Sequence, residues 1–187
     1  MSVEGAKPLR DALAVKKTAI IEAWLARILQ TYPEHTGRFL SRERDPFRNP
    51  VGSALTDALP VLFDGILKGI DTAEVTPALD GIVRIRAVQD FTASQAVSFL
   101  FLLKRVVQEA LHGEIQRCPD GGDLAAMDGR IDEMALLAFD LFMRCREKIY
   151  EIKANEAKRR IYVLEKRYGM ETSATAAGRE VPSAPRP

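Results

Sequence analysis

The sequence is short of the residues that usually announce a chemistry. In 187 residues there are two cysteines, two histidines and one tryptophan. Cys118 and Cys145 do not make a disulfide framework, and a reducing cytoplasm suits them. No Gly-x-x-x-x-Gly-Lys loop, Gly-x-Gly-x-x-Gly turn, Gly-x-Ser-x-Gly elbow or Cys-x-x-Cys pair occurs. His35 and His112 stand far apart, and neither has a thiol or carboxylate at metal-ligand spacing. His112 is the one conceivable axial haem ligand, but a histidine at the C-terminal end of a helix is accounted for by the helix dipole. The expectation is therefore no enzyme, no metal and no cofactor.

Charge of one sign is missing too. Lys+Arg 27 against Asp+Glu 26 leaves a net charge of +1, which calls for neither a nucleic acid nor an anionic membrane. The longest apolar run, Ala96 to Leu103, is interrupted by Ser98 and stopped by Lys104. A membrane span needs about 20 apolar residues, so no insertion is expected. Met1 to Trp24 carries Lys7, Arg10, Asp11, Lys16 and Lys17, too many charges for a signal peptide. With 47% apolar and 28% charged residues, the chain reads as one cytoplasmic globular domain.

What is present is helical periodicity, with no hairpin signal and no repeat. Ile20, Ile21, Trp24, Leu25, Ile28 and Leu29 form the stripe of an amphipathic helix over 18–30. Thr31 and Glu34 have capping-box spacing for a short helix, and Arg42 to Arg48 reads as a polar loop. Asn49-Pro50 opens the next helix, Val51 to Lys68, which Pro60 should kink or split and Gly69 should end. Thr76-Pro77 looks like another start, and Thr92 with Gln95 a capping box for a helix over Ala93 to Gln116. A turn at 117–122 precedes one long helix over about 123–168, acidic early and basic late. The Ala/Ser/Thr/Pro-rich remainder, 169–187, is expected to be a disordered tail. This predicts an all-α single helical-bundle domain of six or seven helices, ending in a long C-terminal helix.

Polar residues among apolar ones are the candidate site. Arg84, Arg86, Gln89 and Asp90, with Ser94, Gln95 and Arg146, gather near the junction of two helices. Charge there is costly unless paired, so they mark either a ligand or partner site or a structural network. Arg86 is expected to be buried against a carboxylate, for instance one from the long helix. Asp140 interrupts Ala135 to Met143, a segment apolar on more than one face, and could pair with Arg144 one turn on. Cys145 shares the apolar side with Phe142 and Ile149 and reads as a small core residue.

Several stretches carry a resemblance. They are Trp24, Asp45-Pro-Phe-Arg-Asn-Pro-Val-Gly52, Ile85-Arg-Ala-Val-Gln-Asp-Phe91, Ser94-Gln-Ala-Val97 and Cys145-Arg-Glu-Lys-Ile-Tyr150. Together they resemble the N-terminal domain of the RsbRD-type co-antagonists of bacterial stress signalling, over roughly Leu9 to Arg167. The resemblance implies an all-helical cytoplasmic sensor or scaffold domain that is globin-like, haem-free and dimeric. In that family a terminal helix leads into a STAS output domain, which binds a switch kinase. Here only a short tail follows Tyr168, so a stand-alone form without that output domain is expected.

Three functions follow as expectations. The first is a non-enzymatic sensor or adaptor acting by protein contact, with a signalling kinase or STAS protein as partner. The second is an accessory protein of a redox or respiratory complex of sulfur metabolism. The third is nucleic-acid binding by the basic end of the long helix, where Glu147, Glu151, Glu156 and Glu165 interleave the cations and favour a solvated face instead. A homodimer is expected through Tyr150, Ala154, Ala157, Ile161, Leu164 and Tyr168, spaced 4-3-4-3-4 like a coiled-coil seam.

Overall fold

A computed structural model describes residues 9–43, 45–89, 91–117 and 122–168. Among them there is no strand, and eight helices follow one another: α1 (Leu9–Val15), α2 (Lys17–Leu29), α3 (Glu34–Arg42), α4 (Pro50–Lys68), α5 (Thr72–Val88), α6 (Ala93–Ala110), α7 (His112–Arg117) and α8 (Gly122–Tyr168). The all-α class and the long last helix are as the periodicity required. The count exceeds six or seven because α1 and α7 are one- to two-turn pieces with no pattern of their own. The expected turn at 117–122 and the tail at 169–187 fall on or beyond residues 118–121 and 169–187, outside the described residues.

Several starts and stops follow the local chemistry. Asn49 caps α4, its side-chain oxygen accepting the Gly52 N–H at 2.8 Å, while its amide donates to the carbonyls of Leu40 and Glu43. A Cβ on Gly52 would strike that buried side chain, which is why glycine follows the cap. Gly69 ends α4 at φ 117°, a backbone conformation open to glycine. Thr92 and Gln95 form the full capping box of α6.

Others do not. Thr31 gives its hydroxyl to the Ile28 carbonyl, so α3 begins at Glu34 with Pro33 at its cap position and no side-chain cap. α4 runs through Pro60 unbroken, because Leu59, Leu62 and Phe63 beside it are wholly buried and their packing outweighs the ~3 kcal/mol proline penalty. α5 begins at Thr72, not near Thr76-Pro77: Asp71 accepts the Ala73 N–H, and the added turn buries Val75 against α4. A Cβ on Gly65 would lie 2.7 Å from a Val75 methyl, so glycine there sets how closely α4 and α5 cross. The helix expected over Ala93 to Gln116 ends at Ala110. His112 thus starts α7 instead of closing α6, and it lies exposed beside Gln116.

The chain divides into two compact units, 1–147 and 148–187. The first holds the core. Ile20, Trp24 and Ile28 of α2 lie fully buried, as do Leu59, Leu62 and Phe63 on the inner face of α4 and Phe99, Leu100 and Leu103 of α6. Among the described residues α4 alone is long and apolar enough to cross a membrane, and eight of its nineteen residues are buried in this core. Cations from other elements close three helix ends, where carbonyls lack partners and the dipole is negative. Lys16 donates to the Ala110 carbonyl of α6, Arg130 to those of Ile66 and Leu67 in α4, and Arg146 to that of Ala87 in α5. The second unit, in its described part, is helix whose side chains are nearly all exposed.

Candidate functional site

Arg86 sits in the last turn of α5 with no exposed surface. Its helix places it beside the other buried residues Ile82, Val83 and Ala87, so the chain must cover it or desolvate it. The expected carboxylate partner is absent among the described residues. Nη1 instead donates to the carbonyls of Gln95 at 3.0 Å and Ala96 at 3.4 Å, in the first turns of α6. Three aromatic rings enclose the guanidinium: its Cζ lies 4.9 Å from the centroid of Phe99, 5.1 Å from Phe91 and 5.7 Å from Tyr32. Cation–π attraction of this kind contributes about 0.5–2 kcal/mol per ring and replaces part of the lost hydration. Among the described residues Nε and Nη2 are buried with no hydrogen-bond partner. Burial pulls the guanidinium below its ordinary pKa, and the Tyr32 phenol works in the opposite direction.

The cage is tied to the rest of the core. Phe99 stacks on Trp24 with centroids 6.3 Å apart, and the Trp24 indole N–H donates 2.6 Å to the Phe99 carbonyl. Tyr32 meets Phe91 edge-on at 5.5 Å. Tyr32 belongs to the turn between α2 and α3, Phe91 to the link between α5 and α6, so neither ring is fixed by a helix. On its other side Tyr32 lines an open cleft of about 1040 Å³ among α2, α3 and α4, walled by Leu29, Leu40 and Gly52 and rimmed by Glu22 and Asp57.

The other candidates disperse. Arg84 is exposed and bridges Asp80 at 2.7 Å, one turn back on the same helix. Gln89 is exposed at the end of α5, and Asp90 lies outside the described residues. Ser94 is exposed beside the Thr92 hydroxyl, and the Gln95 side chain is used in the capping box. Arg146 is half-buried on the Ala87 carbonyl. Asp140 is exposed, and the pairing with Arg144 does not form among the described residues. Cys145 is half-buried, with its thiol pushed up by burial and by nearby Asp80. Tyr150, Ala154, Ala157, Ile161 and Leu164 are exposed, and the Tyr168 side chain lies outside the described set.

Sequence reasoning missed Tyr32 and Phe99 as partners of Arg86. The one available signal was an aromatic residue beside Pro33, too common to single out. Among the described residues no group of three or more His, Cys, Asp or Glu is placed to hold a metal.

Among the described residues the chain is a helical domain with a caged internal cation and a long helix whose end is exposed. The RsbT co-antagonist protein rsbRD N-terminal domain matches residues 18–157. This chain belongs to that family, whose domains are signalling-related and serve stress regulation. An uncharacterized protein of Archaeoglobus fulgidus is 24% identical over 148 residues, covering 79% of this chain and 88% of the relative. No solved structure matches.

Proposed function

We propose that the chain is a non-enzymatic sensor or adaptor domain of stress or regulatory signalling, cytoplasmic and homodimeric, acting through protein contacts. The observation that carries this reading is the second apolar face of α8. Met127, Ile131, Met134, Ala138 and Leu141 are buried in the core, yet Leu136 on the same helix is 70% exposed, with Phe139 and Met143 exposed as well. A helix apolar on one side needs one neighbour; a helix apolar on two sides needs a second. In the second unit Tyr150, Ile161 and Leu164 repeat the exposure at heptad spacing.

The basic end favours contact with protein over nucleic acid, since Lys148 bridges Glu151 and Arg160 bridges Glu156 within the helix. Sedimentation at tens of micromolar, a rough range for weak association, tests the assembly. A dimer that Ile161→Asp with Leu164→Asp converts to a folded monomer is expected; a monomeric wild type overturns it. Affinity capture from the host should recover a switch kinase or STAS proteins, and recovery of respiratory-complex subunits instead would overturn the signalling role.

A further inference from the structure

The unpartnered atoms of Arg86 are not scattered. Nε and Nη2 lie along one edge of the guanidinium, the edge whose two parallel N–H bonds match a carboxylate, while Nη1 at the far corner is occupied by the Gln95 and Ala96 carbonyls. A buried donor pair without acceptors is costly, and removing a cation from water costs several kcal/mol unless an anion answers it. Two helix ends act here in opposite directions, since Arg86 itself lies in the last turn of α5, at the negative pole of that helix. Gln95 and Ala96 belong to the first turns of the eighteen-residue helix α6, whose N-terminal end carries the positive pole of its dipole. The α5 end accommodates the cation, and the two unpartnered donors beside the α6 N-terminus are what an anion would meet.

We infer that the Nε/Nη2 edge of Arg86 is the anchor of a binding site for a small monocarboxylate with an apolar body. The carboxylate takes both N–H groups, and the apolar body lies against Phe91 and Phe99. Tyr32 is the cover. Its ring lies against the guanidinium and Tyr32 also lines the cleft among α2, α3 and α4, which Arg86 does not reach; its backbone is in a turn, so a move of the ring into the cleft would unwind no helix. A planar two-oxygen anion fits the fork.

The protein carries its own reporter. Trp24 is the one tryptophan, and it stacks on the Phe99 ring that also covers Arg86. Titrating the full chain with sodium acetate and with sodium butyrate, at constant ionic strength set by sodium chloride, should give a saturable change in tryptophan emission and a rise in melting temperature. Butyrate should act at lower concentration than acetate. In the folded Arg86→Met variant both responses should vanish, and in Arg86→Lys, which keeps the charge but not the fork, the apparent affinity should fall about tenfold or more. A response that sulfate or chloride matches, or that persists in Arg86→Met, overturns the site. Should that variant fail to fold, the wild type decides alone: its buried arginine Nε–H resonance should move with butyrate and saturate. A resonance indifferent to butyrate would mean that the fork is met by water only, and would overturn the proposal. This site does not rest on the dimer. A dimer that ignores butyrate overturns the site alone, and a monomer that binds it overturns the assembly alone.

Discussion

The two units of this chain use similar residues to opposite ends. In the first, Ile20, Trp24 and Ile28 recur every fourth residue and vanish into a core. In the second, Ala154, Ala157, Ile161 and Leu164 recur at comparable spacing and stay in solvent. Apolar periodicity specifies which residues share a helix face, and it does not specify what will cover that face. The first unit is stabilised by other parts of its own chain. The second presents its stripe outward, and a short helix with no covering partner is marginal in water.

Substitutions should separate the units sharply. Trp24→Ala removes the ring stacked on Phe99 and its 2.6 Å hydrogen bond. It is expected to cost about 3–5 kcal/mol in urea unfolding followed by circular dichroism. A loss under 1 kcal/mol would mean that the core is far looser than its burial indicates.

Next comes Arg86, where the choice of substitute matters more than the loss of charge. Arg86→Ala opens a cavity among Tyr32, Phe91 and Phe99, and a cost of about 2–4 kcal/mol is expected. Arg86→Met fills most of that space, strands no carboxylate and removes a desolvated cation, so its midpoint should lie near that of the wild type or above it. Equal losses from the two would show that the guanidinium itself holds the helix junction.

Asn49→Ala should cost about 1–2 kcal/mol, because it uncaps α4 and leaves the carbonyls of Leu40 and Glu43 without their donor. Ile161→Asp, in the second unit, should move the unfolding midpoint of a monomeric sample by less than about 0.5 kcal/mol. A large loss there would end the distinction between a self-sufficient core and an outward-facing stripe.

The smallest effect is chemical. Burial holds the Cys145 thiol above its ordinary pKa, so less of it is thiolate at pH 8 than in a free cysteine. In a Cys118→Ser background, iodoacetamide should label Cys145 more slowly than it labels a small free thiol, with the pH profile displaced upward. For folding the sign follows directly: above pH 9 the unfolded thiol loses its proton first, so this group lowers stability as pH rises from there to its folded pKa. Cys145→Ser should remove that alkaline slope.

Legibility from sequence varied with the range of the interaction. The Asn49 and Thr92 caps and the Gly69 stop were readable because each is settled within four residues. Thr31 misled because its hydroxyl found a nearer carbonyl, and Pro60 misled because the packing of its neighbours overrode its local penalty. The start of α5 moved to Thr72 because Val75 gained a buried place against α4, which no local rule contains. At the candidate site, Arg86 is buried as its apolar neighbours implied, and no carboxylate meets it among the described residues. The groups that surround it come from residues 32, 91, 95, 96 and 99, brought together only by the crossing of helices.

By itself the sequence determined the helical class, the stripes that share a helix face, the caps that depend on neighbouring residues and the unbroken length of α8. Those features follow from the 3.6-residue repeat and from hydrogen bonds a few residues apart, so they are written locally. The tertiary structure alone decided that Arg86 would meet aromatic rings in place of a carboxylate, and that Lys16, Arg130 and Arg146 would close the ends of helices distant in sequence. A buried charge takes whatever groups the packed chain brings within a few ångströms, and that set is fixed by the crossing of helices, which nothing in the neighbouring sequence records.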